Sequence, residues 1–229
     1  MSMNYPALNR LDLTEQTYRI LREQILKRDL HPGDKVSVDA VARGLGVSRT
    51  PVVNALKLLE NDGLVEIHPR RGTFITELEA RDVADLFEIR QMIELYAAEQ
   101  LFKSEKYDEI LRQVQLLLDR MKNAIAEEAY TDYDSFITMD RDLHTTLIRA
   151  MNNRRLLNIY SDLNIHMQVT RAHYLDTIEN ALEAQKDHEA MVAAIANRDL
   201  MALKRALIDH IDTVKMRILK LLEERGGLL

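Results

Sequence analysis

From Thr73 to Arg225 the chain contains neither glycine nor proline. Those two residues supply most tight turns and interrupt helices. A stretch this long without them reads as helices joined by short polar connections. Asn152-Asn153 and Asn197-Arg198-Asp199 are its clearest breaks. Apolar periodicity predicts six helices, over about 80–104, 106–127, 130–152, 154–175, 177–196 and 199–224, packed as an antiparallel bundle. Residues 31–76, by contrast, hold three of the four prolines and five of the seven glycines. The expected organisation is a small domain over 1–76, a linker at 77–79 and an all-α domain over 80–229.

The first region opens on a helix with Asp12 and Glu15 at capping-box spacing and a stripe of Leu13, Thr17, Ile20, Leu21 and Ile25. The loop Leu30-His31-Pro32-Gly33-Asp34 follows. A short helix over Val38–Leu45 then turns Val38, Val41, Ala42 and Leu45 inward. Gly44-Leu45-Gly46-Val47 makes a tight turn. Ser48 is placed to cap a third helix with Pro51 in its first turn, where a missing N–H costs nothing. The third stripe is Val52, Ala55, Leu56 and Leu59. Leu64–Ile67 and Thr73–Ile75 read as short strands joined by His68-Pro69-Arg70-Arg71-Gly72. The order helix, helix, tight turn, helix, hairpin is that of a winged helix-turn-helix. The fold class expected is thus mainly α: an N-terminal winged helix-turn-helix with a small β-hairpin wing, and a C-terminal six-helix bundle.

Charge and composition narrow the function. The net charge is −6, but residues 1–78 carry 11 Lys+Arg against 10 Asp+Glu, so the acidity belongs to the bundle. A near-neutral head still binds DNA if its cations share one face. Ser48, Arg49 and Thr50 start the third helix, the end that enters a major groove first. Arginine there serves a guanine edge or a phosphate, threonine a phosphate or a thymine methyl, and the free N–H groups of the first turn a phosphate oxygen. Arg70, Arg71 and Gly72 form a basic tip suited to the minor groove. The chain has no cysteine, which excludes disulfides and thiolate metal sites. No stretch approaches the roughly 20 apolar residues of a membrane span, and MSMNYPALNR has no signal-peptide core. The expected location is cytoplasmic, with no membrane partner.

In the bundle, polar residues stand where core residues are due. One stripe runs Ile137, Asp140, His144, Leu147, Met151. Another holds Ile178, Ala181, His188, Met191 and Ile195. A third holds Leu200, Leu203, Leu207, His210, Val214, Ile218 and Leu221. A fourth holds Val83, Leu86, Arg90, Ile93, Ala97 and Leu101. Burying such groups unpaired is costly. Either each finds its own hydrogen bonds, with Arg90 pairing Glu94 one turn on, or they meet around a divalent cation. Imidazole and carboxylate suit zinc first, with nickel or manganese as alternatives. Arg90 would then face an anion. Tyr160, Asn164, Met167 and Arg171 share a face, and Asn164 and Arg171 are read as lining the same cavity. His166 and His173 lie on the opposite face and are not expected to be ligands.

The motifs "HPGDKV", "VARGLGVSRTPV", "AL..L...GLV" and "PRRGTFI" make residues 10–76 resemble the DNA-binding domain of the GntR family of bacterial transcription regulators. That family usually continues with Arg-Glu where Val53 and Asn54 stand, and its arginine contacts operator DNA. It often has a glutamate at the place of Val38. Residues 80–225 resemble the FCD effector domain of the FadR subfamily. The resemblance rests on Asp140-x3-His144, Asn153 nine residues later, and His188-x21-His210. It implies a divalent metal held by Asp140, His144, His188 and His210, and a small organic-acid effector approached by Arg90. The acyl-CoA-binding members lack the complete metal set.

The function expected is a ligand-responsive regulator, acting as a homodimer on double-stranded operator DNA and sensing a small carboxylate. The alternative is a metal-dependent hydrolase or isomerase with a DNA-docking head, although no general base stands beside the ligands. A purely structural metal is a third reading, against which a core arginine speaks.

Overall fold

The computed structural model describes residues 13–26, 29–126, 133–175, 177–224 and 226–227. Within them, the side chains of Leu26, Ala126, Tyr133, Asp134, Ile165, His166, Gln168, Val169, Arg171, Ala172 and His173 are not described. Asp12, expected in a capping box, lies outside the described residues, as do the side chains of Arg171, His166 and His173. The chain divides into two compact units between Thr76 and Glu77.

The first unit runs α1 (Leu13–Leu26), β1 (Lys35–Val36), α2 (Val38–Leu45), α3 (Arg49–Asn61), β2 (Val65–His68) and β3 (Gly72–Ile75). Helix α1 packs on α3 through Thr17, Leu21 and Ile25, all buried. Leu13 and Ile20, placed in that stripe by sequence, are exposed instead. The buried face is narrower than the apolar one. Helix α3 buries Val52, Ala55, Leu56 and Leu59 as its periodicity requires. Val52, Leu56 and Leu59 each contribute about 1.5–3 kcal/mol by leaving water. Gly46 closes α2 at φ +67°, and the Val47 N–H bonds the carbonyl of Ala42 at 3.0 Å. Glycine makes this left-handed turn without a Cβ penalty. The wing is not a bare hairpin. Lys35–Val36 adds a third antiparallel strand in the order β1-β3-β2, pairing Lys35 with Phe74 and Val36 with Thr73.

The second unit runs α4 (Ala80–Leu101), α5 (Tyr107–Ala126), α6 (Tyr133–Arg149), α7 (Arg154–Tyr174), α8 (Ile178–Ala196) and α9 (Leu200–Glu224). Helix α4 packs on α6, α7 and α9, while α8 packs between α5 and α9. Glu79 and Asp82 form a reciprocal capping box at the start of α4. Thr177 caps α8. The Asn153 side-chain oxygen accepts from the N–H groups of Arg155 and Leu156, so this residue of the family signature serves as the cap of α7. No described helix is long and apolar enough to cross a membrane.

The buried stripe of α4 is turned slightly from the expected one. Phe87 and Glu94 are inside, and Leu86 and Ile93 only half so. Helix α4 has neighbours on several sides, and its hydrophobic periodicity alone leaves the angle of the buried face open by about one residue.

Candidate metal centre and nucleic-acid interface

Three helices bring four ligand-type side chains to one level of the bundle. Asp140 and His144 lie one turn apart on α6, His188 is on α8 and His210 on α9. All four are buried, and their ligand atoms lie within 4.8 Å of one another. The three imidazole centroids are separated by 5.0, 5.2 and 5.3 Å. A tetrahedral zinc with ligand bonds of about 2.0–2.1 Å needs donor atoms about 3.3 Å apart, so the set fits with a modest inward movement. His188 Nε2 already lies 3.3 Å from Asp140 Oδ1. That is ion-pair distance without hydrogen-bond geometry: neither ring nitrogen of His188 has a hydrogen-bond partner. Two orphaned nitrogens in a buried core are expensive, and a cation would satisfy one of them.

The other two histidines are held from behind by carboxylates. His210 Nδ1 lies 3.1 Å from Asp187 Oδ2, and His144 Nδ1 lies 2.7 Å from Glu94 Oε2. In each ring the nitrogen facing the carboxylate carries the proton, which leaves Nε2 as the acceptor nitrogen. Burial pushes His144 down to about 3, against the opposing pull of Glu94. Burial also lowers His210, partly offset by its bond to Asp187. Both are therefore neutral imidazoles, the form that binds metal.

Glu94 is the residue that sequence reasoning placed only as a partner for Arg90. It accepts from Arg90 Nε at 2.7 Å, from the Tyr160 hydroxyl at 2.6 Å and from His144. Burial alone would raise its carboxyl, but Arg90 and His144 together hold it well below the usual range. Arg90 in turn is held above its ordinary value: burial opposes its charge, and Glu94, foremost among its neighbours, more than compensates. Arg90 Nη2 lies 2.8 Å from His144 Nε2. Asn164 is buried and donates to Thr145 Oγ1 at 3.4 Å.

In the first unit, Ser48, Arg49 and Thr50 are exposed at the start of α3. Ser48 is the N-cap residue by backbone conformation, but its side chain makes no capping bond, contrary to expectation. Arg49 Nε lies 3.2 Å from Asp39 Oδ1, an exposed pair that spans from α2 to α3. Val53 is 37% exposed, unlike the fully buried Val52 beside it. Arg70 and Arg71 are exposed at the wing tip, Arg70 with φ +65°. Gly72 has φ +118°, a backbone conformation that favours glycine, and a Cβ there would lie 2.7 Å from the flexible Lys35 Cε. Lys35, absent from the sequence-derived set, extends along β1 with Nζ 5.7 Å from the Phe74 ring. Arg71 approaches the same ring at 6.0 Å. Lys35 stands in the HPGDKV motif, but its place beside Phe74 follows only from the pairing of β1 with β3.

Residues 13–75 match the gntR family of bacterial regulatory proteins, and residues 85–213 match the FCD domain. The chain belongs to the GntR family and carries an FCD domain. This GntR-family chain is 28% identical over 215 residues to the HTH-type transcriptional regulator YdhC of Bacillus subtilis, covering 91% of this chain and 92% of that one. It is 25% identical over 203 residues to the gluconate operon transcriptional repressor of the same organism, covering 86% and 82%. Among solved structures, a GntR transcriptional regulator from Rhodococcus sp. RHA1 superposes with a TM-score of 0.64 at 22% identity, covering 90% of this chain and 97% of that one. That likeness shows the fold. The GntR-family chain is accordingly a DNA-binding transcriptional regulator and not an enzyme, which sets aside the hydrolase or isomerase reading.

Proposed function

We propose that this chain is an effector-responsive regulator: its bundle holds a divalent cation through Asp140, His144, His188 and His210, and a small carboxylate bound beside that cation alters operator affinity. The observation that carries this is the buried His188 ring, with both nitrogens lacking hydrogen-bond partners, among three other ligand-type side chains. Zinc suits three imidazoles and one carboxylate best, with nickel or manganese as alternatives. When bound, such a cation supplies a Lewis-acidic position for a carboxylate oxygen.

The protein's own groups complete the site. Glu94 and Asp187 orient His144 and His210. Arg90, a fixed buried cation, is placed to receive the effector's carboxylate. Asn164 and Arg171 are proposed to line the same cavity. The name of the gluconate operon repressor associates a relative with an operon for a small organic acid and supports an acid effector here.

In the head, Ser48, Arg49 and Thr50 are proposed to meet the major groove, and Arg70, Arg71 and Gly72 the minor groove or backbone. A palindromic operator calls for a homodimer. The exposed stripe of Ile89, Met92 and Tyr96 on α4, at steps of three and four, is the surface proposed for the second copy. The proposed place of work is the cytoplasm, where operator DNA lies.

The test is elemental analysis of chain purified without chelators, followed by carboxylate titration in an operator gel shift. One divalent ion per chain and an acid-dependent shift of about 5–150-fold in operator affinity are expected. Absence of any ion from both wild type and zinc-incubated protein would sink the reading.

A further inference from the structure

His144 has one lone pair, and Arg90 is on it. The Glu94 carboxylate accepts from Arg90 Nε and from the Tyr160 hydroxyl, and its Oε2 lies 2.7 Å from His144 Nδ1, so the proton of His144 sits on Nδ1. Nε2 is then an acceptor, and Arg90 Nη2, which can only donate, lies 2.8 Å from it. Both ring nitrogens are thereby assigned. An imidazole nitrogen cannot accept a guanidinium N–H and ligate a metal with the same electron pair. Yet Nε2 is the nitrogen His144 must offer to the cluster, because Nδ1 is committed to Glu94.

We infer that Arg90 is a built-in competitor for the divalent cation, holding the His144 lone pair that the cation needs, so that cation binding releases an Arg90 N–H for the effector. This rests on the metal reading above. The guanidinium has a second tether: Nε stays 2.7 Å from Glu94 Oε1, so Nη2 can leave His144 while Arg90 remains anchored. A displaced Nη2–H in so buried a site is costly unless it meets an acceptor. A carboxylate beside the cation is such an acceptor. Cation and acid therefore bind cooperatively, each raising the other's affinity by the same factor. Arg90 keeps the cation exchangeable in the absence of acid and retains it in its presence.

The decisive measurement is a long-range 1H–15N spectrum of the full wild-type chain, following the His144 ring nitrogens and the Arg90 Nη groups before and after one equivalent of Zn2+. His144 is expected to keep its Nδ1–H form throughout while Nε2 moves to a metal-bound shift. The Arg90 Nη resonances are expected to lose their hydrogen-bonded shift in the same step. Zinc on His144 Nε2 with the Arg90 Nη resonances unchanged overturns the competition and leaves the metal reading standing. No zinc-induced change at His144, His188 or His210 overturns both. Arg90→Met, titrated against a chromophoric chelator, is expected to bind Zn2+ about tenfold or more tightly, the scale of a charge-assisted bond removed. Equal or weaker binding by folded Arg90→Met contradicts the proposal. If that variant does not fold, the wild-type spectrum decides.

Discussion

The Tyr160 hydroxyl on α7 donates to Glu94 Oε1 on α4 across 2.6 Å, with both side chains buried. This bond ties two helices together through a charged acceptor that also orients His144. Tyr160→Phe removes the donor and leaves the carboxylate one bond short. A loss of about 1.5–3 kcal/mol of unfolding free energy is expected, the range for hydrogen bonds to charged groups. Urea denaturation measures it, and an unchanged midpoint would show that the bond contributes nothing net.

Asp187 stands behind His210 as Glu94 stands behind His144. Asp187 is partly exposed and Glu94 fully buried, so Asp187 can be changed with less structural cost. Asp187→Asn is expected to weaken zinc binding by about 10–100-fold with little change in stability. Competition with a chromophoric chelator reads the first and thermal unfolding the second. Full retention of zinc affinity would deny Asp187 its orienting role.

Acid should destabilise the bundle in a defined window. His144 in the fold is depressed to about 3, and His210 is lowered too, whereas unfolded histidine titrates near 6.5. Between those limits the unfolded chain binds more protons, so stability falls as pH falls below about 6.5. For His144 alone the loss at pH 5 is about 2 kcal/mol. Urea midpoints from pH 7.5 to 5, taken in excess EDTA to remove any metal contribution, test the sign. A flat profile would mean that these rings are not held neutral.

Val53 is 37% exposed one residue beyond the buried Val52, on the side where GntR relatives carry an arginine. Val53→Arg is expected to steepen the salt dependence of binding to any duplex, adding about one unit to the slope of log K against log salt. If the slope and affinity both match wild type, this position does not face DNA.

Met92 is 65% exposed at the centre of the apolar stripe on α4. Met92→Glu places a charge in the proposed contact between copies and should shift sedimentation towards the monomer at micromolar concentration. A dimer of undiminished affinity would locate the contact elsewhere.

Much of this architecture is legible along the chain, for local reasons. The absence of glycine and proline between Thr73 and Arg225, and the polar breaks at Asn152-Asn153 and Asn197–Asp199, delimit the helices, because those features act within a few residues. Helical spacing places Asp140, His144, His188 and His210 on inward faces, since a 3.6-residue period assigns each residue to a side of its own helix. Gly46 and Ser48 mark the turn into α3 by backbone chemistry alone.

What lies between elements was decided by the tertiary structure. The stripe of α4 turned by about a residue, burying Phe87 and Glu94 rather than Leu86 and Ile93. Lys35 and Val36 became a strand only because β3 lay beside them. Asp187 reads as a surface carboxylate until α8 meets α9. Arg90 spacing announced a pair with Glu94, but not that its second nitrogen would lie on His144, 54 positions away. Periodicity tells a residue which way to face. Only packing, which sets the angle and level at which helices meet, determines what it faces.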